Sequence, residues 1–405
     1  MPVSSTVIPG QRIALLAYGF RPFFLLAALY APLALVPWVG SLLQQLTLST
    51  GMPPLLWHAH EMLFGFVTAA LAGFLLTAVP SWAKVTPLTN WPLAGLVVLW
   101  LAGRVAVWLA GSLPAPLVAV VNQAFPLTLV AWVLPALLAD RERRHLSLGG
   151  LLVLFAMAQL GFYLAWLGVL PARMTPLDWL HLAANVLLVM IAVVASRIVR
   201  VVAMAALVES KRSDEPRHPR LTPAREHLAV ATLLLFVIAD FMAHGHPVSG
   251  WIALAAAAAQ ADRLAEWPWG RAMGRLYLLL LTLAYVWLAV GLALVGLAAL
   301  LELPDYVGRH ALFVGAIGIA VLAVLCIAGL RHTGRPLQLP MTMWAALAGL
   351  LVAATLRTSV PLAWPQHYLT LGVMLPALLW LLAYGLYAVS YGQMLCRARP
   401  DGLPG

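Results

Sequence analysis

Charge is what this 405-residue chain has least of. Asp, Glu, Lys and Arg together make up 9% of it, against about 25% in soluble domains, and that scarcity excludes a soluble globular protein. Cysteine is nearly absent: Cys326 and Cys396 are the only two, too few for a disulfide framework and without the paired spacing of a thiolate metal site. They read as packing residues in or near the tenth and twelfth helices. Period-two alternation, the mark of a transmembrane β-barrel, is also missing. A bilayer admits only helices or closed barrels, because every backbone polar group must be paired internally. An all-α bundle is what remains.

Apolar residues are abundant, at 63% of the chain. A helix needs about 20 of them in a row to span a membrane. Such runs fall near 17–38, 55–79, 91–111, 114–138, 146–169, 177–198, 226–245, 247–263, 275–300, 309–330, 339–361 and 367–394. They predict a polytopic bundle of about twelve transmembrane helices forming a single domain over residues 1–405. The first run holds Arg21 and Pro22 and offers no small-residue cleavage site, so it reads as a retained helix.

The few charges are distributed unevenly. With the amino terminus placed in the cytoplasm, only Arg104, Arg173, Arg309 and Arg357 of the 24 Lys and Arg fall toward the outer side. The positive-inside rule then predicts both termini in the cytoplasm. The net charge of +10 is explained by membrane orientation and gives no reason to expect nucleic acid as a partner. The stretches DRERRH (140–145) and SKRSDEPRHPR (210–220) read as solvated anchors beside membrane lipid.

That topology, built without histidines, sorts them. His58, His60, His181, His244, His246, His310 and His367 all come to the outer ends of their spans, while His145, His218, His227 and His332 are cytoplasmic. A single interfacial imidazole needs only water or a headgroup. Several from different helices at one depth point to function when they face the bundle interior. Imidazole suits copper, iron and zinc, and haem iron accepts axial histidines from helices of a bundle. The candidate metal ligands are therefore His58, His60, His181, His244, His246 and His310. At about 100° per residue, His58 and His60 project some 200° apart and do not readily grip one ion.

Supporting residues are spaced to match. Glu61 lies beside this pair, Asp240 stands four residues before His244, and Asn185 four after His181. Each is a candidate to fix a neighbouring imidazole's tautomer or to make an ordinary interhelical hydrogen bond. Arg104 and Arg357 lie near the histidine level, suited either to haem propionates or to snorkelling toward the surface. The second, sixth and tenth spans all start outside with a histidine near the start, which suggests a threefold repeat of four helices.

The stretches YGFRPFFLLAAL (18–29), WHAHEMLFGFVTAALAGFLLTAVPSW (57–82), HLAANVLL (181–188), HALFVGAIG (310–318), RHTGRPL (331–337) and YGQMLCRARPDG (391–402) together resemble the NnrS family over nearly the whole chain. The resemblance implies a haem- and copper-containing bacterial inner-membrane protein, tied to nitric oxide metabolism and to resistance against nitrosative stress. Redox chemistry on nitric oxide would add an electron donor as partner. It singles out His58, His60, Glu61, His181, His310 and His332, although HTGRP around His332 also reads simply as a turn. It further implies a histidine three residues before Tyr285, where this chain has Thr282. The arrangement is also similar in architecture to the haem-copper oxidase catalytic subunit, but lacks the adjacent His-His pair and the His-Pro-Glu motif of that family. Two other functional classes stay open: a proton-coupled secondary transporter working through Glu61 or Asp240, and a haem-binding sensor or assembly factor without catalysis.

Overall fold

The computed structural model describes residues 13–46, 50–140, 145–209, 222–267 and 271–403. Arg12, the basic residues of 141–144 and the whole of 210–220, which the topology argument used, lie outside the described residues.

Every regular element among the described residues is helical. Twelve rods follow one another: α1 (Phe20–Leu42), α2 (Pro54–Ala83), α3 (Asn90–Trp108), α4 (Ala115–Ala139), α5 (Leu146–Trp166), α6 (Pro176–Glu209), α7 (Pro223–Met242), α8 (Pro247–Leu264), α9 (Leu276–Leu301), α10 (Asp305–His332), α11 (Thr342–Ala363) and α12 (Pro365–Cys396). Ten of them are long and apolar enough to cross a membrane, which makes this a multi-pass membrane protein. The exceptions, α7 and α8, form where the sequence placed the seventh and eighth spans. Their apolar character is diluted by Arg225, Glu226, His227 and Asp240 on α7 and by Ser249, Gln260, Asp262 and Arg263 on α8.

Three rods are not uniformly α-helical. In α2 the chain passes into a π-helix at Glu61–Val67, in α10 at Ala311–Gly318, and in α12 at Tyr368–Met374. A π turn inserts a residue and weakens the regular ladder, so it persists where outside groups satisfy the backbone. Each segment has such groups. Trp100 donates to the Gly65 carbonyl at 3.3 Å and Thr68 to that of Leu63 at 2.9 Å. Tyr384 donates to Gly318 at 2.8 Å, and Arg357 to Gly372 at 2.7 Å. In α2 and α10 the π segment starts immediately after a histidine, His60 and His310. The described part of α6, the third member of the suggested repeat, stays α-helical.

Close backbone approach fixes the frame around the start of α10. The chain leaves α9 through Glu302, whose left-handed φ of 53° caps the helix, and enters α10 after Pro304. Asp305 lies in the first turn, where a negative charge suits the helix dipole. A Cβ on Gly308 would stand 2.5 Å from the Val295 backbone nitrogen, so α9 and α10 touch with no side chain between them. Between α8 and α9, a Cβ on Gly296 would lie 2.8 Å from the Gly250 carbonyl oxygen. Small residues permit this proximity where apolar lipid supplies no hydrophobic drive for helix association.

Gly296→Leu should therefore destabilise the protein by about 1–3 kcal/mol, the usual cost of overpacking, seen as a lower thermal midpoint in detergent. Gly95→Ala, at a position with open space around it, should leave the midpoint unchanged or raise it.

Candidate metal-binding cavity

At about 100° per residue, α2 turns its two histidines to different places. His58 lines a cavity of about 400 Å³ at the end of the bundle where α6 and α10 begin, within the range of ligand and cofactor pockets. Its ring stacks on Trp38 with centroids 4.2 Å apart. Its Nδ1 is buried without a hydrogen-bond partner among the described residues. His181 from α6, His244 from the turn after α7, and His310 from α10 line the same cavity. The remaining wall is largely apolar and aromatic, including Met62, Phe66, Phe313 and Trp380.

His60 lies on the opposite side of α2, fully buried, with both ring nitrogens occupied. Nδ1 is 2.7 Å from Glu61 Oε1, and Nε2 is 2.7 Å from the Tyr163 hydroxyl. Glu61 is also fully buried and pairs with Arg104 at 2.5 Å and with the Tyr30 hydroxyl. Arg104 goes on to Asn122 Oδ1 at 2.6 Å, and Trp108 donates to Tyr30 at 2.8 Å. Arg104 is thus committed to a buried carboxylate and does not line the cavity, whereas Arg357 does. A buried carboxylate without a counter-charge would be strongly destabilising, and Glu61 claims Arg104 for that reason.

The arginine that reaches the cavity organises His310. Tyr306 O accepts from His310 Nδ1–H at 2.7 Å, which makes Nε2 the acceptor for Arg357 Nη2 at 2.6 Å. Arg357 also reaches Gly372 O and the Tyr368 hydroxyl. It is 6% exposed, and no carboxylate among the described residues pairs with it. A buried cation facing a cavity without an acidic partner is a ready site for an anionic group.

A denser cluster closes the other side. Arg309 Nη2 bridges both oxygens of Asp240, at 2.7 and 2.8 Å, while its Nε reaches Asp305 Oδ2 at 3.2 Å. Asp240 Oδ1 lies 3.2 Å from His244 Nδ1, as the four-residue spacing on α7 anticipated. His244 Nε2 lies 3.5 Å from Asp305 Oδ2. The His181 and His244 rings stand 4.7 Å apart, and ligand atoms of His181, His244 and Asp305 all fall within 4.8 Å of one another. This is a group that could hold a metal ion. Asn185 donates to Asp240 at 2.7 Å and accepts from Arg309 at 3.3 Å instead of serving His181, because charged partners make the stronger hydrogen bonds.

The other histidines are elsewhere. His246 is exposed and caps α8, accepting from the Val248 amide at 3.2 Å. His367 sits exposed in the first turn of α12. His332, at the far end of α10, packs its ring near Tyr18 and Phe20. Its carbonyl accepts from Arg399, whose ion pair with Asp401 holds that carboxyl down to about 2. Thr282 is buried in α9 and bonds to Leu278 O and Met273 Sδ, away from the cavity lining. Sequence reasoning missed Asp305, Tyr306 and Trp38. The one available signal was Asp305 four residues before Arg309 at the start of an apolar run.

Fold and cavity together define a polytopic helical membrane protein with a histidine-lined pocket suited to metal. The NnrS protein family matches residues 14–399, nearly the whole chain, and the chain belongs to that family. No curated protein matches it.

The ion pair at the cavity wall should be strongly coupled. Arg309→Leu leaves Asp240 buried and unpaired and should cost about 3–5 kcal/mol, whereas Arg309→Leu with Asp240→Leu should recover most of that loss. Thermal unfolding of the two variants beside wild type measures the difference.

Proposed function

We propose that this chain is a haem- and copper-containing protein of the bacterial inner membrane that acts in nitric oxide metabolism and resistance to nitrosative stress, with both termini cytoplasmic. Family membership supports a nitric oxide-related membrane protein. The observation that carries the cofactor reading is the apolar cavity into which His58, His181, His310 and the buried Arg357 turn.

The residues present fit a haem. His58, with its unpartnered Nδ1, would supply an imidazole for the iron, and Arg357, which His310 Nε2 holds in place, would receive a propionate. Bound haem would supply an iron able to take a diatomic ligand such as nitric oxide. The protein's own contribution is distinct from that. Trp38, Phe66, Phe313 and Trp380 exclude water from the cavity. Tyr306 fixes the tautomer of His310 through its carbonyl, leaving Nε2 directed at Arg357. On the other face of α2, the His60–Glu61–Arg104 network holds the helix that carries His58.

Protein purified after expression with haem and copper supplied should show a Soret band and bound copper; the absence of both would overturn the proposal. His310→Ala and Arg357→Leu should lower the haem content, while His246→Ala, outside the cavity, should leave it unchanged.

A further inference from the structure

We propose that His181, His244 and Asp305 form a mononuclear site for a divalent transition metal, separate from any haem iron, with Cu²⁺ its tightest-bound ion. The proposal deepens the copper part of the reading above and rests on it only for the claim that the protein is metallated.

The geometry suits a single ion. Metal–nitrogen and metal–oxygen bonds of about 2.0–2.2 Å place two ligands of one ion roughly 3–4 Å apart. The three ligand atoms already fall within 4.8 Å of one another, so small side-chain rotations close the set. The ligands come from three places in the chain, the start of α6, the turn after α7 and the start of α10, so the folded bundle assembles them.

Two further features support it. His244 has Nδ1 against Asp240 and Nε2 against Asp305. A metal-bound histidine commonly has its second nitrogen held by a carboxylate in this way, which orients the ring and raises its basicity. Asp240 is held in turn by Asn185 and Arg309. Independently, Nδ1 of His181 is buried, with the residue 9% exposed, and has no hydrogen-bond partner among the described residues. Buried polar atoms are rarely left so, and metal binding at this imidazole would account for it.

The donor set limits the ion. Two imidazoles and one carboxylate suit copper, zinc or iron and disfavour magnesium and calcium, which prefer all-oxygen surroundings. Among divalent first-row ions the affinity order places Cu²⁺ highest. No thiolate is at hand to favour Cu⁺, since neither Cys326 nor Cys396 lines the cavity.

The test is a chelator-buffered Cu²⁺ titration of the metal-stripped, full-length protein in nanodiscs, read by elemental analysis and electron paramagnetic resonance. Wild type should bind one tight equivalent with coupling to two imidazole nitrogens. Asp305→Asn, which preserves the side-chain shape, should weaken binding by roughly 10–100-fold or more. His181→Ala should reduce the coupling to one nitrogen. His246→Ala, exposed and outside the cavity, should bind as wild type does. Wild-type Cu²⁺ affinity in both Asp305→Asn and His181→Ala, or a copper signal without nitrogen coupling, would overturn the assignment. A Soret band with no tight Cu²⁺ would sink this proposal alone. Tight Cu²⁺ dependent on Asp305, in protein that takes up no haem, would uphold it and remove the haem reading.

Discussion

A charge placed inside a membrane bundle must bring its partner with it, and the end of this protein that holds the cavity is organised by that requirement. Glu61 of α2 is paired with Arg104 of α3, and Asp240 of α7 with Arg309 of α10. Each pair is buried, and the second spans 69 residues of sequence. The hydrogen bonds that complete these pairs enlist Tyr30, Asn122, Asn185 and His244. Such pairs add little net stability over an apolar replacement, but breaking one is costly. Their effect is to tie together helices that apolar packing alone would allow to slide or rotate.

The same requirement separates the two faces of α2. One face carries a fully neutralised polar cluster around His60, with no ring nitrogen to spare. The other carries His58 in an apolar cavity where Arg357 has no carboxylate among the described residues. Neighbouring histidines in one motif therefore have different chemical standing, one engaged and one available. The helices supply this contrast by direction alone, and the buried partners make it permanent.

Much of this could be read in the sequence, for reasons that can be named. The twelve helices followed from run length and scarce charge, and the divergence of His58 from His60 followed from 100° per residue. The four-residue spacing of Asp240 and His244 was likewise enough to bring them together. Asp305 was hidden because an Asp in the first turn of a helix, four residues before an Arg, has an ordinary local explanation in dipole and i, i+4 pairing. Its proximity to His181 and His244 is a tertiary fact. Arg104 and Arg357 looked equivalent by depth, and only the position of Glu61 distinguishes them. The weak apolar character of α7 and α8 reflects buried polar residues such as Asp240 of α7, which pairs with Arg309 behind the cavity wall.

The π segments of α2, α10 and α12 carry a consequence for how such a chain can change over time. A π turn holds one residue more than the α turn it replaces. Deleting a single residue within Glu61–Val67 or Ala311–Gly318 would let the helix relax to the regular form, at the expense of the aligned Trp100 and Tyr384 donors. The flanking α turns would keep their facing, because the α turn that remains covers the same arc. A deletion in the regular α part of the same helices has no such slack and would turn one part by about 100° against the other, carrying His58 or His310 away from its neighbours. The π turns are therefore the places along these helices where a change of length can be absorbed.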